Sequence, residues 1–162
     1  MQHVLESIGG TSIGNAVETS IWIFPTLEIL HFIGLAMVIG GIGLLDLRML
    51  GAVKALSPAA LHRLLPMVFI GFGINLVTGV LFFLSDPVGY GTNPSFRFKM
   101  LLVLLAGLNA LWFELAYRRR IADWPADYDA PRLAKLLCAM SLLLWAGVIT
   151  AGRLLPSFGT LL

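Results

Sequence analysis

Two side chains within residues 26–41 could do chemistry that hydrocarbon does not ordinarily host. Glu28 and His31 lie three residues apart inside a long apolar run, so on a helix they share one face. Ionisable groups are costly inside a membrane span, and their default reading is functional. An imidazole there can hold a metal or relay a proton. Gly34, Val38 and Gly41 continue the same face. A histidine followed by glycines leaves space beside the ring for a flat ligand or for a closely packed helix. The plainer alternative is a neutral imidazole, hydrogen-bonded to Asn75 or Thr150, that fixes helix packing.

The elements that must position these groups follow from composition. Of 162 residues, 58% are hydrophobic and 12% charged, with a mean hydropathy of +0.89. Soluble domains carry about 25% charged residues. A span needs about 20 mostly apolar residues, and four segments qualify: 20–46, 58–84, 96–118 and 132–155. The expected fold is an all-α integral membrane protein. It is a single domain over residues 1–162, built as a four-helix up-down bundle. Residues 1–19 read as an amphipathic segment on the outer surface. The N-terminus lacks a basic region followed by an apolar core. A cleavable signal peptide is therefore not expected, and the first span serves as the targeting signal. Cys138 is the lone cysteine, which rules out an intrachain disulfide.

Basic residues set the expected orientation. Arg48, Lys54 and Arg63 follow the first span, and Arg118, Arg119, Arg120, Arg132 and Lys135 surround the loop after the third. Only Arg97, Lys99 and Arg153 fall on the other side. The positive-inside rule puts both basic loops in the cytoplasm and both termini in the periplasm of a bacterial inner membrane. Ser57-Pro58 should open the second helix, Ser85-Asp86-Pro87 close it, Asn93-Pro94-Ser95 open the third, Pro131 open the fourth and Pro156 end it. The segment "SDPVGYGTNPS" reads as turns.

Helix rise then gives depth. His31 lies roughly 28 Å from the inner end of its helix near Leu50, at 1.5 Å per residue. The same height collects Glu28, Asn75, Thr78, Met100, Thr150 and Arg153 into one polar layer in the outer half. His62 falls roughly 20 Å below, so a haem held by His31 and His62 of one chain is excluded. A haem on His31 would have Met100, His3, a symmetry mate or nothing opposite it. His62 and Arg63 read as interfacial. Asp46 and Arg48 read as pairing locally or meeting the second basic loop, Asn75 and Asn109 as interhelical glue, and Glu114 as a partner of Arg118–Arg120. The chain has no HExxH, Walker A or cysteine cluster, which argues against hydrolysis.

"LEILHFIGLAMVIGGIGLLDLRMLG" and "FRFKMLLVLLAGLNA" resemble a broad group of small four-helix bacterial inner-membrane proteins of largely unassigned function. These are similar in layout to copper-resistance D-like and cytochrome b561-like membrane domains. The shared features are His31 with Gly34, Gly40 and Gly41, and Lys99 with Leu101 and Asn109. The resemblance implies haem b or copper at an outer site, carried by His31 alone. The cytochrome pattern has several histidines on facing helices, which this chain lacks, so one haem is implied rather than two. The resulting expectation is a b-type haem protein of electron transfer. His31 is its axial and metal ligand, Met100 a second ligand and Arg153 a propionate partner. Asn75, Thr150 and Glu28 complete the site. One alternative is a copper-handling or small-solute transporter, and another is a non-catalytic subunit of a larger membrane complex. Expected partners are the lipid bilayer, a second copy or larger complex, and a periplasmic redox partner or quinone. No nucleic acid is expected.

Overall fold

The computed structural model describes residue 5 and residues 10–121, 123–125 and 127–159, with 158 and 159 as backbone only. His3 and most of the first ten residues lie outside the described residues, and with them the reading of His3 as an axial ligand. The described elements are all helices: α1 (Ser12–Thr19), α2 (Ile23–Met49), α3 (Pro58–His62), α4 (Leu65–Ser85), α5 (Pro87–Thr92), α6 (Pro94–Ile121) and α7 (Arg132–Gly159). Four stretches are long and apolar enough to cross a membrane: Ile23–Met49, Pro58–Ser85, Pro94–Ile121 and Arg132–Ser157. They match the four expected spans to within a few residues.

Local chemistry sets the boundaries. Gly51, at φ +92°, ends α2. Its N–H reaches Arg48 O and the Ala52 N–H reaches Leu47 O, a left-handed cap that glycine adopts without a Cβ penalty. Ser57 Oγ accepts from Ala60 N at 3.1 Å to open α3, and Pro58 occupies the first turn. The second span then breaks at residues 63–64, just ahead of Pro66 in the first turn of α4, because a proline ring crowds the carbonyl four residues earlier. Two boundary expectations are corrected. Pro156 lies inside α7 instead of ending it. The turn-rich segment after α4 winds into the short helix α5, because Asp86 Oδ1 caps it through Gly89 N at 2.8 Å.

The spans pack as two antiparallel hairpins. In the first, Gly34 faces Gly71 and Gly41 faces Val68, so α2 and α4 run in opposite directions. In the second, Ser95 Oγ donates to Ala151 O at 2.8 Å and Asn109 Nδ2 to Leu137 O at 3.0 Å, which joins α6 to α7. The hairpins meet along α2 and α7. Leu45, Met49, Tyr117, Ile121, Ala134 and Leu137 form a core near the basic loops. Arg48, buried beside it, donates to Leu56 O at 2.7 Å and Tyr128 O at 3.4 Å, and so ties both basic loops to α2, as expected for its meeting with the second loop. α1 lies across α4.

α4 and α6 do not pack along their length as the other neighbouring spans do. At one end Phe83 of α4 stacks on Phe96 of α6 at 5.9 Å, and Tyr90 of α5 meets Phe96 edge-on at 5.4 Å. At the other end His62 Nε2 lies 3.0 Å from Glu114 Oε2 across α3 and α6. Between these two contacts a cleft opens sideways. Outward side chains such as Phe32, Phe69, Leu115 and Leu143 are strongly exposed, which suits a lipid-facing surface.

Candidate functional site: a fixed imidazole and a buried acceptor pair

His31 is positioned by a close helix crossing. A Cβ on Gly34 would sit 2.7 Å from Gly71 O, and one on Gly71 would sit 2.7 Å from Gly34 O. Only glycines permit that approach, because contacts under 3.0 Å force a shift. The space read beside His31 from its glycine face is therefore taken by α4. At this crossing Asn75, with its amide turned to satisfy both atoms, donates to His31 O at 2.6 Å and accepts from Leu35 N at 3.0 Å. One side chain of α4 thus grips a consecutive backbone donor and acceptor of α2.

The imidazole itself reaches Thr78. His31 Nδ1 lies 2.7 Å from Thr78 Oγ1, and Thr78 Oγ1 donates to Ile74 O at 2.8 Å. A hydroxyl has a single proton. With that proton on Ile74 O, Thr78 accepts from His31 Nδ1–H, and Nε2 of the neutral ring carries the free lone pair. Phe82 lies edge-on to the ring at 5.7 Å, with Phe24 behind it at 5.2 Å. A Cβ on Gly79 would lie 3.9 Å from the ring's Cε1.

The expected layer is only partly assembled. His31 and Asn75 come together, with Thr78 at the expected height. Glu28, Met100, Thr150 and Arg153 are all exposed. Thr150 spends its hydroxyl on Ala146 O at 2.8 Å. Glu28 lies within electrostatic reach of Tyr90, whose phenol in α5 is pushed above its ordinary range by burial, then by Asp86 and Glu28. Their directions around each helix carry them off the imidazole. Lys99 takes the inward place next to Met100. It is half-buried, within electrostatic reach of His31, and its Nζ lies 3.6 Å from where a Gly152 Cβ would stand. A lysine inside the third span was the available signal; counted toward orientation, it was left out of the site.

Among family models, curated proteins and solved structures, none matches this chain. The site's chemistry therefore rests on its own geometry.

A second polar constellation lies toward the basic-loop end. Asp46 and Asn109 are buried at 4% and 8% exposure. Ser141 and Cys138 lie within hydrogen-bonding reach of the Asp46 carboxyl, so Asp46 faces α7 and does not simply pair along its own helix. Asn109 does act as interhelical glue, through Leu137 O. Yet Asp46 Oδ2 and Asn109 Oδ1 have no hydrogen-bond partner. Nearby, Glu114 joins His62 and, at 3.6 Å, Arg118, as expected for its meeting with the arginine run. His62 is more enclosed than its interfacial reading implied.

Proposed function

We propose that this chain is a membrane-embedded b-type haem protein that passes single electrons, in which His31 would hold the iron through Nε2. The observation that carries the reading is the His31–Thr78–Ile74 chain of hydrogen bonds. Metal-bound histidines characteristically donate their other ring N–H to a fixed acceptor, which sets the tautomer and the ring orientation. His31 has that arrangement, and Asn75 and the Gly34–Gly71 crossing hold the backbone beneath it.

The donor set also favours haem over a bare metal ion. Among the described residues, no group of three or more His, Cys, Asp and Glu could hold a metal. Copper held by protein alone draws on several such donors. A porphyrin brings four nitrogens of its own, so one histidine suffices. When bound, the haem supplies one-electron chemistry at iron. Lys99, rather than Arg153, is the cation near the imidazole and would face an acidic group of the ligand. Met100 is exposed on the outer side of α6 and is not assigned as a second ligand within one chain. In this reading the membrane is a bacterial inner membrane with both termini outside. What supports the orientation is the concentration of Lys and Arg in the two loops at the other end. The electron partner would be a periplasmic redox protein or a quinone.

The test is a haem titration of the purified chain in mild detergent. Saturable binding that is lost in His31→Ala supports the reading. A wild-type protein that stays colourless with excess haem sinks it. Copper that survives desalting and is lost with His31→Ala would turn the assignment to metal handling. Neither ligand, with other subunits co-purifying, would favour a structural subunit.

A further inference from the structure

We propose that the cleft between α4 and α6 is a second binding site. It takes a small lipid-soluble molecule with a flat apolar body and a head that donates hydrogen bonds, a hydroxyl or an amine. The cleft holds a cavity of about 260 Å³, many times the roughly 30 Å³ share of one water. Asp46 and Asn109 line it, together with Phe72, Phe113 and Trp145. Phe69 and Leu111 at its rim are 68% and 54% exposed. A ligand dissolved in the bilayer could therefore enter sideways.

The two orphan atoms define the head group. Asp46 Oδ2 and Asn109 Oδ1 are shielded from solvent and make no hydrogen bond. Unmet acceptors in an apolar interior are costly, and buried polar groups are nearly always satisfied. Asn109 cannot relieve its oxygen by turning over, because its nitrogen donates to Leu137 O and the turn would set oxygen against oxygen. Asn109 Oδ1 can only accept, so the complement it calls for is a donor. Among the described residues, no Lys or Arg lines the cavity, which disfavours an acidic ligand. The rings in the wall suit a flat body through stacking and edge contacts. Along α2, Asp46 lies roughly 22 Å from His31 at 1.5 Å per residue, so this site does not depend on a haem at His31.

The test uses three probes on the purified full chain in nanodiscs, by equilibrium dialysis: 1-naphthol, 1-naphthylamine and 1-methoxynaphthalene. The methoxy compound keeps the body and loses the donor. At least one donor-bearing probe should bind at least about ten-fold more tightly than the ether; which one does so assigns hydroxyl or amine. Asn109 also ties α6 to α7, so its removal would mix binding with folding. Gly107→Leu is the cleaner variant. Gly107 lines the cavity, and a Cβ there meets nothing within 4 Å, so a larger side chain can be placed at the cleft without a clash at its base. It should reduce binding of that probe at least about ten-fold, while Gly73→Leu, also in open space but outside the cavity, leaves it unchanged. Equal binding of all three probes, or binding undiminished in a folded Gly107→Leu protein, overturns the proposal.

Discussion

His31 Nδ1 and Thr78 Oγ1 meet at 2.7 Å across the α2–α4 interface, and the Thr78 hydroxyl donates its own hydrogen bond to Ile74 O. The pair joins a residue of the first span to one of the second and fixes which imidazole nitrogen is free. Thr78→Val keeps the shape and removes the acceptor. Haem affinity should fall about 10- to 100-fold, and Thr78→Ser should restore most of it. A haem titration of each variant reads the change. Equal affinity in the valine variant would remove Thr78 from the site.

The crossing beneath that pair tolerates no side chain. Gly34→Ala would place a methyl 2.7 Å from a backbone oxygen that cannot step aside. A loss of about 1–3 kcal/mol is expected, typical of overpacking. Gly40→Ala, facing open space, should stay within about 0.5 kcal/mol of wild type. Denaturant titration in detergent, followed by circular dichroism, separates the two.

The spans owe their depth to sequence and their facing to packing. Helix rise alone put His31 level with Asn75 and Thr78, and those are the residues it meets. The four spans, the Ser57 cap and the links from Arg48 and Glu114 to the basic regions were legible in the same way, from residue types and spacing. Rotation about each axis was not. A helix that is apolar on every side offers no polar face to mark its outside, so Met100, Thr150 and Arg153 were gathered by height although they point outward. Lys99 illustrates the converse. Its charge was counted toward orientation, yet the glycine at 152 opens room for its stem inside the bundle. The cleft was also hidden, because the failure of α4 and α6 to close on each other depends on three-dimensional packing and leaves no local signature.

His62 and Glu114 close one end of that cleft at 3.0 Å. A double-mutant cycle with His62→Ala and Glu114→Ala should give a coupling of about 0.5–1 kcal/mol, in the range of partly exposed pairs. Denaturation midpoints of the four proteins measure it. Additive effects would show that the two residues act independently.

Tyr90 reports on the opposite end. Burial first, then Asp86 and Glu28, holds its phenol above the ordinary value of 10.0. A group whose folded pKa is raised contributes stability at pH below its unfolded pKa and loses it as pH rises through the folded one. Stability should therefore fall above pH ~10, and less so in Tyr90→Phe. In Glu28→Gln the phenol should titrate slightly lower but stay elevated, because burial is the larger cause. Ultraviolet absorbance against pH, taken as a difference from Tyr90→Phe, follows it.

The most direct measurement is the dithionite-reduced minus oxidised visible spectrum of the haem-loaded protein in detergent, recorded for wild type and for a folded His31→Ala variant. A haem ligated by His31 predicts a Soret band and reduced bands in the wild type that vanish in the variant. Bands that persist unchanged without the imidazole, or a wild type that never acquires them, would contradict it.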